Sequence, residues 1–397
     1  MEEWKDTRIG DVCDTISDTY KGEANEVVLI NTSDVLEGKC LNHSKTPNKD
    51  LKGQFKKTFK RDDILYSEIR PANKRFAYID FDPVDYIAST KLMVIRHRDN
   101  ITPLYLYYIL KSSSVIEELQ ILAESRSGTF PQITFSELSR LEIKLPPILE
   151  QEKILGILKS LDDKIELNRK INANLEAQAQ ALFKSWFVDF EPFKDQPFIE
   201  SELGMIPVGW RVGNIYEYID VIYGAPYKSS LFNENKDGLP LIRIRDLKTN
   251  APQFYTPELL PNTEYINAGD IVAGMDAEFI PYVWLGERGV LNQRCCKFKG
   301  KNDAISNYYI RFLIKPELEY VQSYKTGTTV SHLGKSDIDR FKLMTPPLDV
   351  VLAFSERVNP MKEEVVNRAK ESRRLASLRD ALLPRLMSGE LKVNEVI

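Results

Sequence analysis

The chain has 397 residues, 43% hydrophobic and 28% charged, with a formal net charge of −4 at neutral pH. This describes a globular protein of two or three domains, each large enough to bury its own core. The acidic balance argues against a broadly basic nucleic-acid binder but leaves room for a local basic surface. No run of about 18 apolar residues is present, which argues against a membrane-spanning helix.

The first residues, Met1-Glu2-Glu3-Trp4-Lys5-Asp6, are polar and acidic, unlike a secretory signal. Cys13, Cys40, Cys295 and Cys296 form no C-x-x-C pair and have no nearby histidine. Cys295 and Cys296 are expected as strand residues rather than metal ligands, and a reducing cytoplasm is the expected compartment. A β-rich segment, Val27-Val28-Leu29-Ile30, is followed by a basic cluster of Lys45, Lys49, Lys52, Lys56, Lys57, Lys60 and Arg61, interrupted by Asp50. An acidic turn then enters a strand at Asp63-Ile64-Leu65-Tyr66, and an aromatic helical stretch covers Leu104 to Lys111. The loop Ser127-Gly128-Thr129 and the segment Ser136-Glu137-Leu138-Ser139-Arg140-Leu141 lead to Pro146-Pro147.

A long helix is predicted after the proline pair. Ile154, Leu158, Leu161, Ile165, Asn168, Asn172, Leu175, Ala179, Leu182 and Trp186 keep alternating four-three spacing, a coiled-coil seam. Forty residues of helix span about 60 Å, too long for one small domain, so a spacer is the better reading. Pro192, Pro197 and Pro207 end the helix and mark a linker.

The pattern then repeats. Trp210 answers Trp4, and Leu239-Pro240-Leu241-Ile242-Arg243-Ile244 forms the β-rich segment. Asp270-Ile271-Val272-Ala273 enters a strand, and Asn307 to Lys315 is the aromatic helix. Thr326-Gly327-Thr328-Thr329-Val330 leads to Ser336-Asp337-Ile338-Asp339-Arg340-Phe341 and Pro346-Pro347. The second seam runs Phe354, Val358, Met361, Val365, Arg368, Ser372, Leu375, Arg379, Leu382, Leu386, with Pro384 predicting a kink or early stop near Leu383. The offset between copies is 207 at the acidic turns and 200 from Ser136 onward, so the first copy carries extra residues, expected in surface loops. A 200-residue period is a tandem of domain-plus-helix modules, not a solenoid. Mixed short strands with few helices make the class α+β. If the helices pair antiparallel, Asn168 and Asn172 should meet Arg368 and Ser372 in a polar layer that sets register.

Catalytic patterns are lacking. His43, His97 and His332 are scattered, and no G-x-S-x-G, H-E-x-x-H or G-x-G-x-x-G occurs. Gly334-Lys335-Ser336 imitates the end of a phosphate-binding loop, but Thr329 stands where its first glycine should be. Asn359-Pro360-Met361-Lys362 fails as a methyltransferase motif. Bond chemistry by this chain is not expected.

The run from Leu145-Pro146-Pro147-Ile148-Leu149-Glu150-Gln151-Glu152-Lys153-Ile154 through Leu161-Asp162-Asp163-Lys164-Ile165 resembles the central conserved region of type I restriction–modification specificity subunits. So does Ala181-Leu182-Phe183-Lys184-Ser185-Trp186-Phe187-Val188-Asp189-Phe190. Ile206-Pro207-Val208-Gly209-Trp210 resembles the start of that family's second target recognition domain, and the similarity spans the whole chain. The loop Gly128-Thr129-Phe130 departs from the Thr-Thr-Val pattern of the second copy.

The resemblance implies an α+β fold with two globular target recognition domains separated by two long helices that form an antiparallel coiled coil, a pseudo-twofold tandem repeat. The domains would be 1–147 and 208–347, the helices 148–190 and 348–389, and the linker 191–207. It further implies a non-catalytic subunit that recognises a bipartite, asymmetric sequence in double-stranded DNA. Two modification (methyltransferase) subunits would methylate adenine, and restriction (translocase/endonuclease) subunits would cleave. S-adenosylmethionine, ATP and Mg2+ would sit on those partners, with no cofactor in this chain and no membrane involved. A coiled-coil adaptor binding proteins, or a specificity module detached from a fused nuclease–methyltransferase, are the alternatives.

Arginine reads guanine, and asparagine or glutamine reads adenine, through paired hydrogen bonds in the major groove. The candidate DNA contacts are Lys56, Lys57, Arg70, Asn73, Lys74, Arg75 and Arg126 in the first domain. In the second they are Tyr227, Lys228, Arg243, Arg245, Gln293, Arg294 and Lys325. The lysines are expected on phosphates, which position without specifying. Arg243 and Arg245, alternating along a strand, are expected to point the same way.

Overall fold

A computed structural model describes residues 4–49, 51, 53–126, 130–325 and 332–395. Asp50 and Lys52 of the basic cluster, and residues 127–129 and 326–331 of the two Gly-Thr loops, lie outside the described residues. The chain divides into two units, residues 1–163 with 375–397, and residues 164–374. Each combines a β-rich domain with part of both long helices.

In the first unit the apolar run Leu92-Met93-Val94-Ile95 opens a strand, Leu92–His97, and is buried on both faces. It pairs antiparallel with Cys13–Ile16 on one side and Ile64–Ser67 on the other, and Phe76–Tyr78 completes the sheet. A second sheet runs Lys45–Pro47, Glu26–Ile30, Tyr86–Ser89, Phe55–Lys57, with its central pair parallel. Asp63, at the acidic turn, is buried and held by both nitrogens of the Arg96 fork at 2.7 Å. The aromatic helix Pro103–Leu110 is followed by Ser113–Arg126.

The second unit repeats this topology. Ile219–Tyr223, Cys295–Gly300, Ile271–Gly274 and Pro281–Val283 make one sheet; Phe254–Thr256, Leu239–Ile242, Gly289–Leu291 and Tyr265–Ile266 make the other, again with a parallel centre. Cys295 and Cys296 are buried strand residues, and burial pushes the Cys296 thiol up to about 12. The aromatic helix is continuous from Asn307 to Lys325, passing through Pro316. The repeated Ser-acidic segment is a capped helical turn in both units. Glu137 accepts the Thr134 N–H at 2.6 Å, and Asp337 accepts the Gly334 N–H at 2.8 Å. The linker expected at 191–207 carries a hairpin, Phe198–Ser201 against Gly204–Pro207, turned by Gly204 at φ 96.

The long helices are Ile148–Phe187 and Leu348–Met387, equal in length and offset by 200. The second runs through Pro384 to Met387, so the expected early stop does not occur. Pro384 is exposed one turn from the helix end, where its missing N–H removes a single intrahelical bond. Every predicted seam residue is buried or half-buried. Within the second unit the helix segments run antiparallel through a polar layer. Asn168 donates to Glu371 at 2.7 Å and Ser372 at 3.3 Å, and accepts from Arg368 at 3.1 Å. Asn172 reaches the Val365 carbonyl instead, at 3.2 Å.

In the first unit Asp162 is the corresponding polar junction. It accepts from Lys111 at 2.9 Å, Arg379 at 2.6 Å and the Tyr108 hydroxyl at 2.5 Å. Burial pushes its carboxyl up, but Lys111, Tyr108 and Arg379 together hold it below the ordinary carboxylate value. The stability it contributes is therefore complete above the unfolded pKa and disappears as pH falls through the folded one. Asp162→Asn should lower the stability of this unit by about 2 kcal/mol at neutral pH, because the largely buried Lys111 ammonium loses its carboxylate and Arg379 keeps only Asp380. Thermal melts followed by circular dichroism should show the gap to wild type closing below about pH 4.

Candidate nucleic-acid interface

In each unit three distant segments converge on one corner. In the first, the strand Ile64–Ser67 runs into a turn at Glu68–Arg75, closed by the 3-10 turn Pro71–Asn73. Arg70 and Lys74, flanking that turn, both adopt left-handed backbone, φ 46 and 52, which non-glycine residues hold only where their surroundings enforce it. Here the enforcement is explicit. The Arg70 N–H donates to the Pro131 carbonyl, Ile133 to Glu68, Glu68 to Lys91, and Ala72 to the Gln120 side chain at 3.0 Å. Lys91 Nζ lies 3.8 Å from Glu68 and donates to Gln132 Oε1 at 3.4 Å.

The second unit builds the same corner from other side chains. Met275 N–H donates to the Arg294 carbonyl at 2.8 Å, and Leu333 N–H to that of Met275 at 2.7 Å. Backbone bridges join Ile69 to Gln132 in one unit and Asp276 to His332 in the other. Ala277, at the place of Arg70, is again left-handed, φ 65. Arg294 takes the place of Lys91, with Nη1 2.9 Å from Asp276 Oδ2; His332 Nδ1 lies 2.7 Å from Asp276 Oδ1. A shared backbone thus presents a lysine, a glutamine and an arginine unpaired among the described residues in one unit, and an arginine and histidine clamped by aspartate in the other.

The family model described as the type I restriction modification DNA specificity domain matches residues 1–177 and 207–350. The chain belongs to that family. It is 32% identical to the type I restriction enzyme HindI specificity subunit of Haemophilus influenzae, over 98% of this chain and all of that one. It is also 32% identical to the MjaIX specificity subunit of Methanocaldococcus jannaschii, over 79% and 77% of the two chains. The crystal structure of a type I restriction–modification S subunit from M. genitalium covers 97% of this chain and 96% of its own, at 17% identity and a TM-score of 0.52, a likeness of fold. As a specificity subunit its role is DNA sequence recognition, and none of these matches favours the adaptor alternative.

In this specificity subunit the predicted contact residues separate into two groups. Arg70 and Asn73 are exposed at the first corner, and neither side chain has a hydrogen-bond or ion-pair partner among the described residues; Lys74 lies beside them, 3.7 Å from Glu37. Lys56 is exposed on the strand Phe55–Lys57. Gln293 and Arg294 are exposed at the second corner, and Lys228 and Arg245 are exposed elsewhere on that unit.

The others hold structure together. Lys57 donates to the Leu92 carbonyl at 2.8 Å, and burial lowers its pKa. Arg75 ties down the carbonyls of Ser33 and Val35. Lys325 bonds the His332 carbonyl and Asp337. Tyr227 is 5% exposed, a core residue whose hydroxyl meets Thr263. Arg126 ends the helix Ser113–Arg126, and its side chain lies outside the description.

Arg243 and Arg245 do not share a strand face. The strand ends at Ile242, and Arg243 becomes the cap of a helical turn, Ile244–Leu247, because Asp246 accepts its N–H at 3.0 Å. Its guanidinium stacks on Phe254 at 4.3 Å. Sequence reasoning missed Glu68, Lys91, Gln132, Asp276 and His332. Aligning the copies segment by segment would have paired Lys91 with Arg294 and Gln132 with His332.

Proposed function

We propose that this specificity subunit reads a split, asymmetric sequence in double-stranded DNA, one half per unit, and directs adenine methylation or cleavage by separate subunits. The observation that carries this reading is the repeated corner: one backbone arrangement, present in both units, dressed with unlike hydrogen-bonding side chains. Identical corners would suit a symmetric target; unlike ones suit unequal halves.

In the first unit Arg70 and Asn73 would meet base edges, with Lys56, Lys74 and Lys91 on phosphates. In the second, Gln293 and Arg294 would meet bases, with Lys228 and Arg245 on the backbone. The chain itself is non-catalytic in this reading. Supporting that, the Gly334 N–H of the phosphate-loop lookalike is occupied by the Asp337 carboxylate, whose charge repels a phosphate. Two modification subunits would bring S-adenosylmethionine, and restriction subunits ATP and Mg2+, in the cytoplasm.

The equal helices would set the gap between half-sites. Inserting one heptad into both, after Lys170 and Lys370, adds about 10 Å, or roughly three base pairs. Methylated sites of the assembled complex should keep both halves and gain a longer gap; an unchanged gap would refute the spacer role. Lys91→Ala should weaken DNA binding about equally on all sequences and reduce the slope of log affinity against log salt by about one. A titration at several salt concentrations checks this.

A further inference from the structure

We propose that Arg294 reads a guanine in the half-site of the second unit, aimed by Asp276 as a positioning residue. This rests on the reading that the corner faces DNA. Both ends of the pair stand on fixed backbone: Arg294 N–H donates to Asn292 Oδ1 at 3.1 Å, its carbonyl accepts from Met275, and Asp276 is bridged to His332. The carboxylate sits low, 24% exposed, and the guanidinium stands above it, 58% exposed.

An exposed ion pair of this kind contributes little to stability, so its consequence is orientation. Asp276 engages Nη1 alone among the described residues, and its other oxygen faces His332. The fork keeps unengaged donors on Nε and Nη2, the parallel pair that matches guanine O6 and N7. At the equivalent place the first unit has Lys91, a point charge without a fork, leaning on Glu68 and Gln132. This one position of the corner would therefore specify guanine in the second half-site and grip phosphate in the first.

The test uses the full chain assembled with its modification subunits, and sequencing of the adenines it methylates. Arg294→Ala and Arg294→Lys, the latter keeping the charge, should relax one guanine position in one half by on the order of ten- to a hundredfold, leaving the other half unchanged. Asp276→Asn should relax that same position less, with Asp276→Glu restoring part of the preference, a shift that loss of folding would not produce. An unchanged motif in both Arg294 variants overturns the proposal. So does a uniform loss of affinity across all sequences, which would make Arg294 a phosphate contact. If the wild-type complex gives no split motif, the reading beneath this inference fails with it.

Discussion

Each recognition unit depends on a surface that its β-rich domain cannot bury alone. In the second unit Phe183 and Phe187 of one helix and Phe354 of the other enclose Tyr309, with Phe187 also meeting Trp210, ring centres 5.0–6.1 Å apart. In the first, Leu155 and Leu158 join Leu383 and Leu386 around Tyr105 and Leu106 in one core. Helix segments from both halves of the chain are therefore part of each unit's interior. Removing them would expose large aromatic area, where most of the burial free energy of such a core lies. This explains why the helices keep their register while the domains drift: a slip would uncover two cores at once.

The corners occupy the opposite regime. Their backbone is constrained by hydrogen bonds from three segments, strongly enough to hold Arg70, Lys74 and Ala277 in left-handed conformations, yet their side chains are free to differ. Such a frame lets the side chains at the places of Arg70 and Arg294 differ while the backbone bonds that fix the corner are kept. Binding residues on loops fixed by a rigid scaffold are a common solution for variable recognition.

Much of this was legible from the residues. The proline pairs and four-three spacing located both long helices, Asp63 and Asp270 marked the strands they precede, and Asn168 found Arg368 and Ser372 as the antiparallel seam required. The misses have physical causes. Apolar alternation followed past Ile242 places Arg243 on a strand, whereas Asp246 three residues on is a helix-capping signal. Lys57 and Arg75 looked like surface cations, but strand register and loop closure turned them onto carbonyls. Pro384 looked like a stop, yet an exposed proline near a helix end removes only one bond. The corners were invisible because their parts come from three separate segments of each copy, and the offset between copies changes along the chain, 207 at Ile64 and 203 at Leu92.

In the proposed function one backbone frame carries two different readers. Sequencing the methylated adenines in DNA from cells that make this chain with its modification subunits tests it directly. The expected result is a single motif with two unlike defined halves and a fixed undefined gap between them. A continuous motif, or two identical halves in inverted repeat, would contradict it.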